Sequence, residues 1–234
     1  MIASVTAHLP PSHIGDPKAA ERIRYWQKAQ RSVPGAWTVT KRAIDVGVGA
    51  LLLALTLPLL CLIALAIKIV SPGPALFSQS RVGKNGQLFV FYKFRTMVDG
   101  AHLLHNHVAH LNEADGPALK IANDPRLHAL GAFLRRSSLD ELPQLWNVLR
   151  GDMSLVGPRP ALPDEVTSYL PHYHQRLTVQ PGMTGLWQVS GRANVPFRRW
   201  MAMDVWYARH WSPVGDIWIL VRTLPAVLGR EGAW

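Results

Sequence analysis

Two adjacent acids, Asp140 and Glu141, lie among arginines in the second half of the 234-residue sequence. The arginines that flank this acid pair are Arg135, Arg136, Arg150 and Arg159. Guanidinium groups match phosphate oxygens in a bidentate geometry, and carboxylates are ligands for hard cations. The pattern therefore indicates a site for a metal ion and a phosphate-rich ligand.

A short amphipathic helix is predicted directly after the acid pair. Its apolar side chains recur at helical spacing: Leu142, Leu145, Trp146 and Leu149. Pro143 fits best in the first helical turn, which places Asp140 near the positive helix N-terminus, where anions gather. The residues from Ser138 to Glu141 also fit the S-x-x-E capping box, in which the acid only ties off a helix. The rigid Gly-Pro-Arg-Pro turn at residues 157–160 presents an arginine and favours the catalytic interpretation.

Three ordered blocks of the sequence carry a family resemblance. They are YKFRTM at residues 92–97, SLDELPQLWNV at 138–148 with GDMSLVGPRP at 151–160, and PGMTGLWQVSGR at 181–192. Together they resemble the signature of the bacterial sugar transferases, the monotopic phosphoglycosyl transferases that act on polyprenyl phosphates. The resemblance runs from about Lys41 to the C-terminus.

This resemblance implies an enzyme that transfers a sugar-1-phosphate from a UDP-sugar to undecaprenyl phosphate and releases UMP. Asp140 matches the family nucleophile, which forms a phosphoryl-aspartate intermediate, and Glu141 matches the acid that is paired with it. The resemblance also implies that both acids bind Mg²⁺. The matching contacts to substrate phosphate are Lys93, Arg135 and Arg159, with Arg95 and Arg192 as additional contacts. Phosphoryl transfer depends mainly on positioning and charge stabilisation, so a cationic cluster with a metal ion suits the reaction.

The third block gives an expectation for the sugar. Residues 186–192 resemble those of the initiating hexose-1-phosphate transferases of exopolysaccharide and O-antigen synthesis. This version of the motif favours galactose or glucose as the sugar that is transferred.

An uncharged apolar run at residues 46–67 is long enough to span a bilayer. Basic residues flank it on both sides, so the lysine and arginine bias that orients a single span is absent. Either the helix crosses the membrane with a kink at Pro58, or it turns back at Pro58 and leaves by the same face. The family resemblance favours the re-entrant helix, with the Thr56 hydroxyl serving the freed backbone at the membrane break.

The expected fold class is α+β and mainly helical, with a re-entrant membrane helix followed by a small interfacial globular domain. That domain combines short strands with amphipathic helices. The chain divides into a polar prefix at residues 1–40, the membrane-inserted helix at 41–72 and a cytoplasmic catalytic domain at 73–234. Residues 76–77 and 88–92 predict a β-hairpin or two short strands.

Further short elements are expected along the catalytic domain. Helices are predicted at residues 127–134, 163–170 and 217–228, and a short strand at 187–189. Asp164 and Glu165 are expected to cap the second of these helices. The aromatic and basic helix at residues 197–211 either lies on the membrane surface or faces the protein core.

The formal net charge of +10 favours anionic partners, namely nucleic acid, acidic lipid or phosphorylated substrates. The sequence has no groove-reading helix or RNP-like motif, so nucleic acid is not expected as a partner. The single Cys61 precludes an intrachain disulfide and suits a reducing environment. We therefore expect the protein in the bacterial inner membrane, with the catalytic domain on its cytoplasmic face. Whether the protein forms a homo-oligomer is left open by the sequence. The alternative is a non-catalytic, membrane-tethered binder of anionic partners, which leaves the acid pair unexplained.

Overall fold

The computed structural model describes residues 35–113, 115–117, 121 and 123–229, and helices dominate it. Helices α1 to α7 comprise Gly35–Val70, His105–Val108, Gly131–Arg136, Gln144–Arg150, Pro163–Thr167, Phe197–His210 and Pro213–Leu228. Strands β1 to β4 comprise Leu76–Val82, Leu88–Phe94, Ser154–Val156 and Gly182–Thr184. The expectation of a mainly helical α+β fold with short strands and one long apolar N-terminal helix is confirmed. Most of the polar prefix, residues 1–34, lies outside the described residues.

Helix α1 is a single continuous helix of 36 residues that runs through Pro58. Pro58 therefore does not end the helix, and the predicted re-entrant path through the membrane stays a prediction. A proline removes only one bond from the helical ladder, and the Thr56 hydroxyl donates a further bond to the carbonyl oxygen of Leu52 at 2.7 Å. Leu53 packs on one apolar cluster of the domain and Leu60 on another, so the helix has contacts on both sides of Pro58.

One face of α1 lies against the rest of the protein along almost its whole length. The less exposed side chains of this face recur every three or four residues: Asp45, Gly49, Leu53, Thr56, Leu60, Ile63 and Ile67. The opposite face is also apolar, and Leu55 and Leu62 are 69% and 65% exposed. By length and composition alone, Thr38–Val70 is able to cross a membrane. The helix thus has one face that packs on the protein and an opposite face that is apolar and exposed.

Polar contacts tie the first turns of α1 to the globular part. Lys41 Nζ donates to Asp216 Oδ2 at 2.6 Å and to the Val156 carbonyl oxygen at 3.1 Å. Asp45 is buried, and its Oδ1 accepts from Ser154 Oγ and from the Leu155 amide, both at 3.0 Å. The buried Asp45 carboxylate has its partners on Ser154 and Leu155, so docking of α1 satisfies it and the helix packs as part of the domain.

The other end of α1 packs into a separate apolar cluster. Ile63 and Ile67 contact buried Phe94 and Leu134, and the side chain of Leu139 packs against the same cluster. Leu139 directly precedes Asp140. The turn that carries the acid pair is therefore supported by the membrane-length helix.

The predicted β-hairpin is confirmed and is longer than expected. Strands β1 and β2 pair antiparallel, with Phe77 opposite Lys93 and Arg81 opposite Phe89. Because side chains alternate along a strand, Arg81 and Lys93 lie on the same face of the hairpin. Asn147 of α4 docks on this hairpin: its Nδ2 donates to the Val90 carbonyl oxygen at 2.7 Å.

Strands β3 and β4 form a short parallel pair that brings two loops into contact. A Cβ added to Gly182 would lie 2.0 Å from the Gly157 nitrogen, so only glycine permits this approach. The predicted strand at residues 187–189 is wrong, because Gln188–Ser190 is a 3₁₀ turn. The strand lies earlier, where glycine lets the two backbones meet.

The C-terminal helices agree with the sequence in part. Glu165 caps α5 as predicted, since its Oε2 accepts from the Leu162 amide at 3.0 Å. In α6 the side chains of Trp200, Met201, Val205 and Tyr207 are buried in the core. One face of α6 therefore follows the core-facing alternative. Helix α7 begins at Pro213, earlier than expected.

Candidate functional site

The acid pair lies in a 3₁₀ turn, Leu139–Glu141, just before α4. Ser138 has a left-handed backbone with φ of 55°, and its side chain caps no amide in the described part of the chain. A capping box needs an extended residue at this position, so the capping alternative is not realised. The Ser138 hydroxyl instead accepts from Arg192 Nη2 at 3.3 Å.

The Asp140 carboxyl is buried, with only 6% of the residue exposed. Burial raises the pKa of Asp140 to about 7, and the neighbouring charge of Glu141 acts in the same direction. The charges of Lys93 and Arg135 oppose this rise in pKa. A carboxyl group with a pKa near neutrality is able to act as a nucleophile when it is ionised, and it regains its negative charge when the covalent bond breaks.

Lys93 lies on β2, and its ammonium is 5.5 Å from the centre of the Phe77 ring across the hairpin. Burial lowers the pKa of Lys93 to about 8, while Asp140 raises it and Arg135 lowers it further. The hairpin thus holds this ammonium in a low-dielectric position beside Asp140. There its charge acts more strongly than it would in water.

Two of the predicted arginines join this cluster. Arg135, in the last turn of α3, donates from Nε to Thr96 Oγ1 at 3.1 Å, and burial lowers its pKa against the charge of Asp140. Arg159 is exposed on its turn, and its charge lowers the pKa values of Lys93 and Arg135. The structure therefore brings Lys93 and Arg135 near Asp140, and it places Arg159 near these two cations.

Arg81 is a member of the cluster that the sequence reasoning missed. It is 6% exposed, and burial together with Arg159 lowers its pKa to about 10. Its Nη1 donates to the Pro160 carbonyl oxygen at 3.1 Å, directly after Arg159. The missing information was the hairpin register: Arg81 and Lys93 share a strand face when Phe77 pairs with Lys93, and a shift by one residue would separate them.

Arg95 has a different setting from that predicted. Its guanidinium is buried and donates to the carbonyl oxygens of Ser71 and Pro72 at 2.6 and 2.9 Å. These bonds fasten the chain where it leaves α1. The geometry thus lends no support to phosphate binding by Arg95, which stays a prediction.

Arg192 lies at the edge of the site. It has a left-handed backbone with φ of 49°, and its Nη1 is buried without a hydrogen-bond partner among the described residues. Burial lowers the pKa of Arg192, and Glu141 opposes that shift. A strained arginine beside Glu141 with an unpaired N–H suits a ligand contact. Arg150, one of the arginines that flank the acid pair in the sequence, forms a surface ion pair with Asp152 at 3.3 Å.

The metal-binding capacity of the site is limited to the acid pair. Within the described ranges no group of three or more His, Cys, Asp or Glu residues is placed to hold an ion. Mg²⁺ is commonly held by one or two carboxylates together with substrate phosphates. Asp140 and Glu141 therefore fit a Mg²⁺ ion that arrives with a phosphate ligand, and they do not fit a permanent structural metal.

Comparison with known proteins gives one matching family. The family model described as bacterial sugar transferase matches residues 36–230, which covers the helix, the hairpin and the whole cationic cluster. The chain is 44% identical over 202 residues to the undecaprenyl-phosphate galactose phosphotransferase of Salmonella typhimurium, covering 83% of this chain. It spans only 41% of the Salmonella protein.

Two other relatives are matched over more of their own length. The chain is 46% identical over 204 residues to the UDP-glucose:undecaprenyl-phosphate glucose-1-phosphate transferase of Caulobacter vibrioides, covering 83% of this chain and 72% of that protein. It is 40% identical over 200 residues to an exopolysaccharide production protein of Rhizobium meliloti, covering 84% of this chain and 88% of that one.

Proposed function

The chain belongs to the bacterial sugar transferase family, and on that premise we propose that it transfers hexose-1-phosphate from a UDP-hexose to undecaprenyl phosphate. The observation that carries the proposal is the buried Asp140 carboxyl, which faces the charges of Lys93 and Arg135. The Salmonella and Caulobacter relatives are named for galactose and glucose, so these two hexoses are the proposed substrates. The product serves exopolysaccharide or O-antigen synthesis.

The proposed reaction has two displacement steps at one phosphorus atom. A carboxylate oxygen of Asp140 attacks the sugar-bearing phosphorus, the bond from that phosphorus to the bridging oxygen breaks, and UMP leaves with that oxygen. An oxygen of undecaprenyl phosphate then attacks the same phosphorus and releases the Asp140 carboxylate. The lipid leaves as a diphosphate that carries the sugar. Splitting the transfer avoids bringing two polyanionic substrates together at one moment.

The cationic residues have separate tasks in this scheme. Lys93 and Arg135 face Asp140 and neutralise charge on the phosphoryl group that is transferred. Arg159, exposed on its turn, binds the phosphate of the leaving UMP and afterwards that of the lipid. Asp140 and Glu141 would hold Mg²⁺, which supplies additional charge neutralisation for the diphosphate.

The function is tested by identifying the nucleotide that is released. With UDP-galactose or UDP-glucose, Mg²⁺ and undecaprenyl phosphate, the purified protein should release UMP together with a lipid-linked diphosphosugar. Release of UDP would indicate a glycosyltransferase instead. Binding of both substrates without turnover of any UDP-hexose would favour the non-catalytic binder.

The pH dependence follows from the two shifted groups. The attacking form of Asp140 is the carboxylate, so kcat/KM should rise with pH through about 7. Lys93 acts as a cation, so kcat/KM should fall as pH rises through about 8. We expect a narrow bell-shaped profile with its maximum between these values. A profile that is flat from pH 6 to 9, with chemistry rate-limiting, would contradict the assignment of these two groups.

We further propose that α1 is inserted in the bacterial inner membrane with both of its ends on the cytoplasmic face. The support is that the globular part contacts α1 near both ends, through Lys41 and Asp45 at one and Ile67 at the other. A domain that holds both ends of a helix cannot lie on opposite sides of a bilayer. This placement is that of the predicted re-entrant helix, because a helix with both ends on one face enters and leaves the membrane by that face.

Cysteine labelling tests this topology. Single cysteines at Thr38 and Gly73, in a chain whose Cys61 is replaced by serine, should both resist a membrane-impermeant thiol reagent added to intact cells. Both should react after the inner membrane is opened. Labelling of one site in intact cells would show a helix that crosses the membrane.

A further inference from the structure

We propose that the buried pair of Arg176 and Asp204 positions Arg159 for phosphate binding, although neither residue of the pair touches the substrate. The inference rests on the proposed function, because it assigns a supporting residue to the cationic cluster of that site. It concerns the turn that carries Arg159 and the part of the core that lies beneath the turn.

The backbone of this turn is fixed at each residue while the side chain of Arg159 stays exposed. A backbone group of each residue from 157 to 161 has a hydrogen-bond partner. The Gly157 amide donates to the Thr184 carbonyl, and the Pro158 carbonyl accepts from the Gly182 amide. The carbonyls of Arg159, Pro160 and Ala161 accept, in turn, from Arg176 Nη2, from Arg81 Nη1 and from the Val82 amide. Three of these bonds come from the backbone of neighbouring loops or strands. The bond to the Arg159 carbonyl comes from Arg176 at 2.6 Å.

Arg176 is held by its own network in the core. Only 1% of Arg176 and 1% of Asp204 is exposed. Arg176 donates to Asp204 Oδ2 from Nε and Nη2 at 3.0 and 2.7 Å, and from Nη1 to the Tyr169 hydroxyl at 2.9 Å. Trp200 Nε1 also donates to Asp204 Oδ2, at 2.9 Å. The guanidinium therefore has a fixed orientation toward the Arg159 carbonyl.

Stability alone does not explain an ion pair in this position. Burial removes both charges from water, and apolar residues of similar volume often serve the fold equally well. An apolar pair cannot donate a hydrogen bond to the Arg159 carbonyl. That bond fixes the backbone of Arg159 and with it the direction in which the Arg159 side chain leaves the turn. A displacement of about 1 Å at a reacting group can cost about 100-fold in rate.

A double-mutant cycle with Arg159→Ala tests the proposal. Arg176→Lys keeps a charge opposite Asp204 but lacks the fork that reaches both Asp204 and the Arg159 carbonyl. We expect it to lower kcat/KM for the UDP-hexose by about 10- to 100-fold in the wild-type chain. In the Arg159→Ala chain the same change should lower kcat/KM by less than about twofold, because the positioned side chain is gone.

The matched control is Tyr169→Phe. It removes the third bond of Arg176 and a buried hydroxyl, so the melting temperature should fall while kcat/KM stays within about twofold of wild type. An equal loss of kcat/KM for Arg176→Lys in both backgrounds would overturn the proposal and leave a structural role. If Arg176→Lys does not fold, Arg176→Met with Asp204→Leu, which removes the pair together, replaces it in the same cycle.

The design separates this inference from the proposed function. Full activity of Arg159→Ala would remove Arg159 from the phosphate site and with it the reason to position that residue. Normal UMP release by the wild-type chain would still stand in that case. Absence of UMP release by the wild-type chain would instead contradict the proposed function itself.

Discussion

Asp140→Asn is expected to lower kcat by about 10⁴-fold or more, because it removes the proposed nucleophile from a group of residues that act as a unit. The measurement is UMP release under saturating UDP-hexose and undecaprenyl phosphate. A second measurement uses a UDP-hexose labelled in its β-phosphate, mixed with enzyme and Mg²⁺ without lipid. The wild-type protein should retain the label covalently, and the asparagine variant should retain none.

The same substitution should stabilise the fold. The Asp140 carboxyl ionises at about 4 in an unfolded chain and at about 7 in the folded protein. Between these values the unfolded chain binds fewer protons, so the free energy of unfolding of the wild type falls as pH rises. An asparagine at this position does not ionise, so it causes no such fall in the free energy of unfolding. The melting temperature of Asp140→Asn in detergent should therefore exceed that of wild type at pH 8, and the difference should shrink toward pH 4.

Asp164→Asn is the matched control for this pair of expectations. Asp164 is an exposed acid in the first turn of α5, outside the cationic cluster. Its replacement should leave kcat unchanged and should not raise the melting temperature at pH 8. Retention of more than about a tenth of wild-type activity by purified Asp140→Asn would remove Asp140 as the nucleophile.

The second large effect is expected from Lys93→Met, which should lower kcat/KM for the UDP-hexose by about 100- to 1000-fold. Methionine keeps much of the side-chain volume over the Phe77 ring but supplies no charge for the phosphoryl group. Since the charge of Lys93 holds down the pKa of Asp140, the rising limb of the pH profile should move to higher pH. The falling limb that belongs to Lys93 should disappear.

Lys84→Met serves as the control for the loss of a lysine from the hairpin. Lys84 lies in the exposed turn between β1 and β2. Its replacement should change neither kcat/KM nor the two limbs of the pH profile. A Lys93→Met enzyme with unchanged limbs would show that Lys93 and Asp140 do not share an electrostatic environment.

The sequence predicted those parts of the site that lie close together along the chain or that match a family block. Asp140, Glu141 and Arg135 fall within one short stretch, and Lys93 and Arg159 were identified from motifs. Arg81 was missed because its strand face depends on the hairpin register, which is set by pairing between two strands. A pattern of residue types within one strand does not contain that information.

The features that the sequence did not predict have a common physical cause in long-range contacts. Arg95 follows Lys93 by two residues, so one strand would place both on the same face. Arg95 lies just beyond the end of β2, however, and its guanidinium donates to the carbonyl oxygens of the two residues that follow α1. Pro58 reads as a helix breaker, yet packing against the domain on both sides keeps α1 continuous. Arg176 lies in none of the sequence motifs, and only the folded chain buries it beside Asp204.

The apolar cluster that Leu139 shares with the end of α1 has a consequence for how the proposed lipid substrate is handled. Leu139 packs against the cluster that contains Ile63 and Ile67, so the carboxyl of the next residue, the proposed nucleophile, lies close to the helix proposed to be in the bilayer. Drawing a hydrocarbon chain into water costs about 0.8 kcal/mol for each methylene group, or about 8 kcal/mol for ten. With Asp140 near this helix, we expect the lipid phosphate to reach it by lateral diffusion while the isoprenoid tail stays in the bilayer.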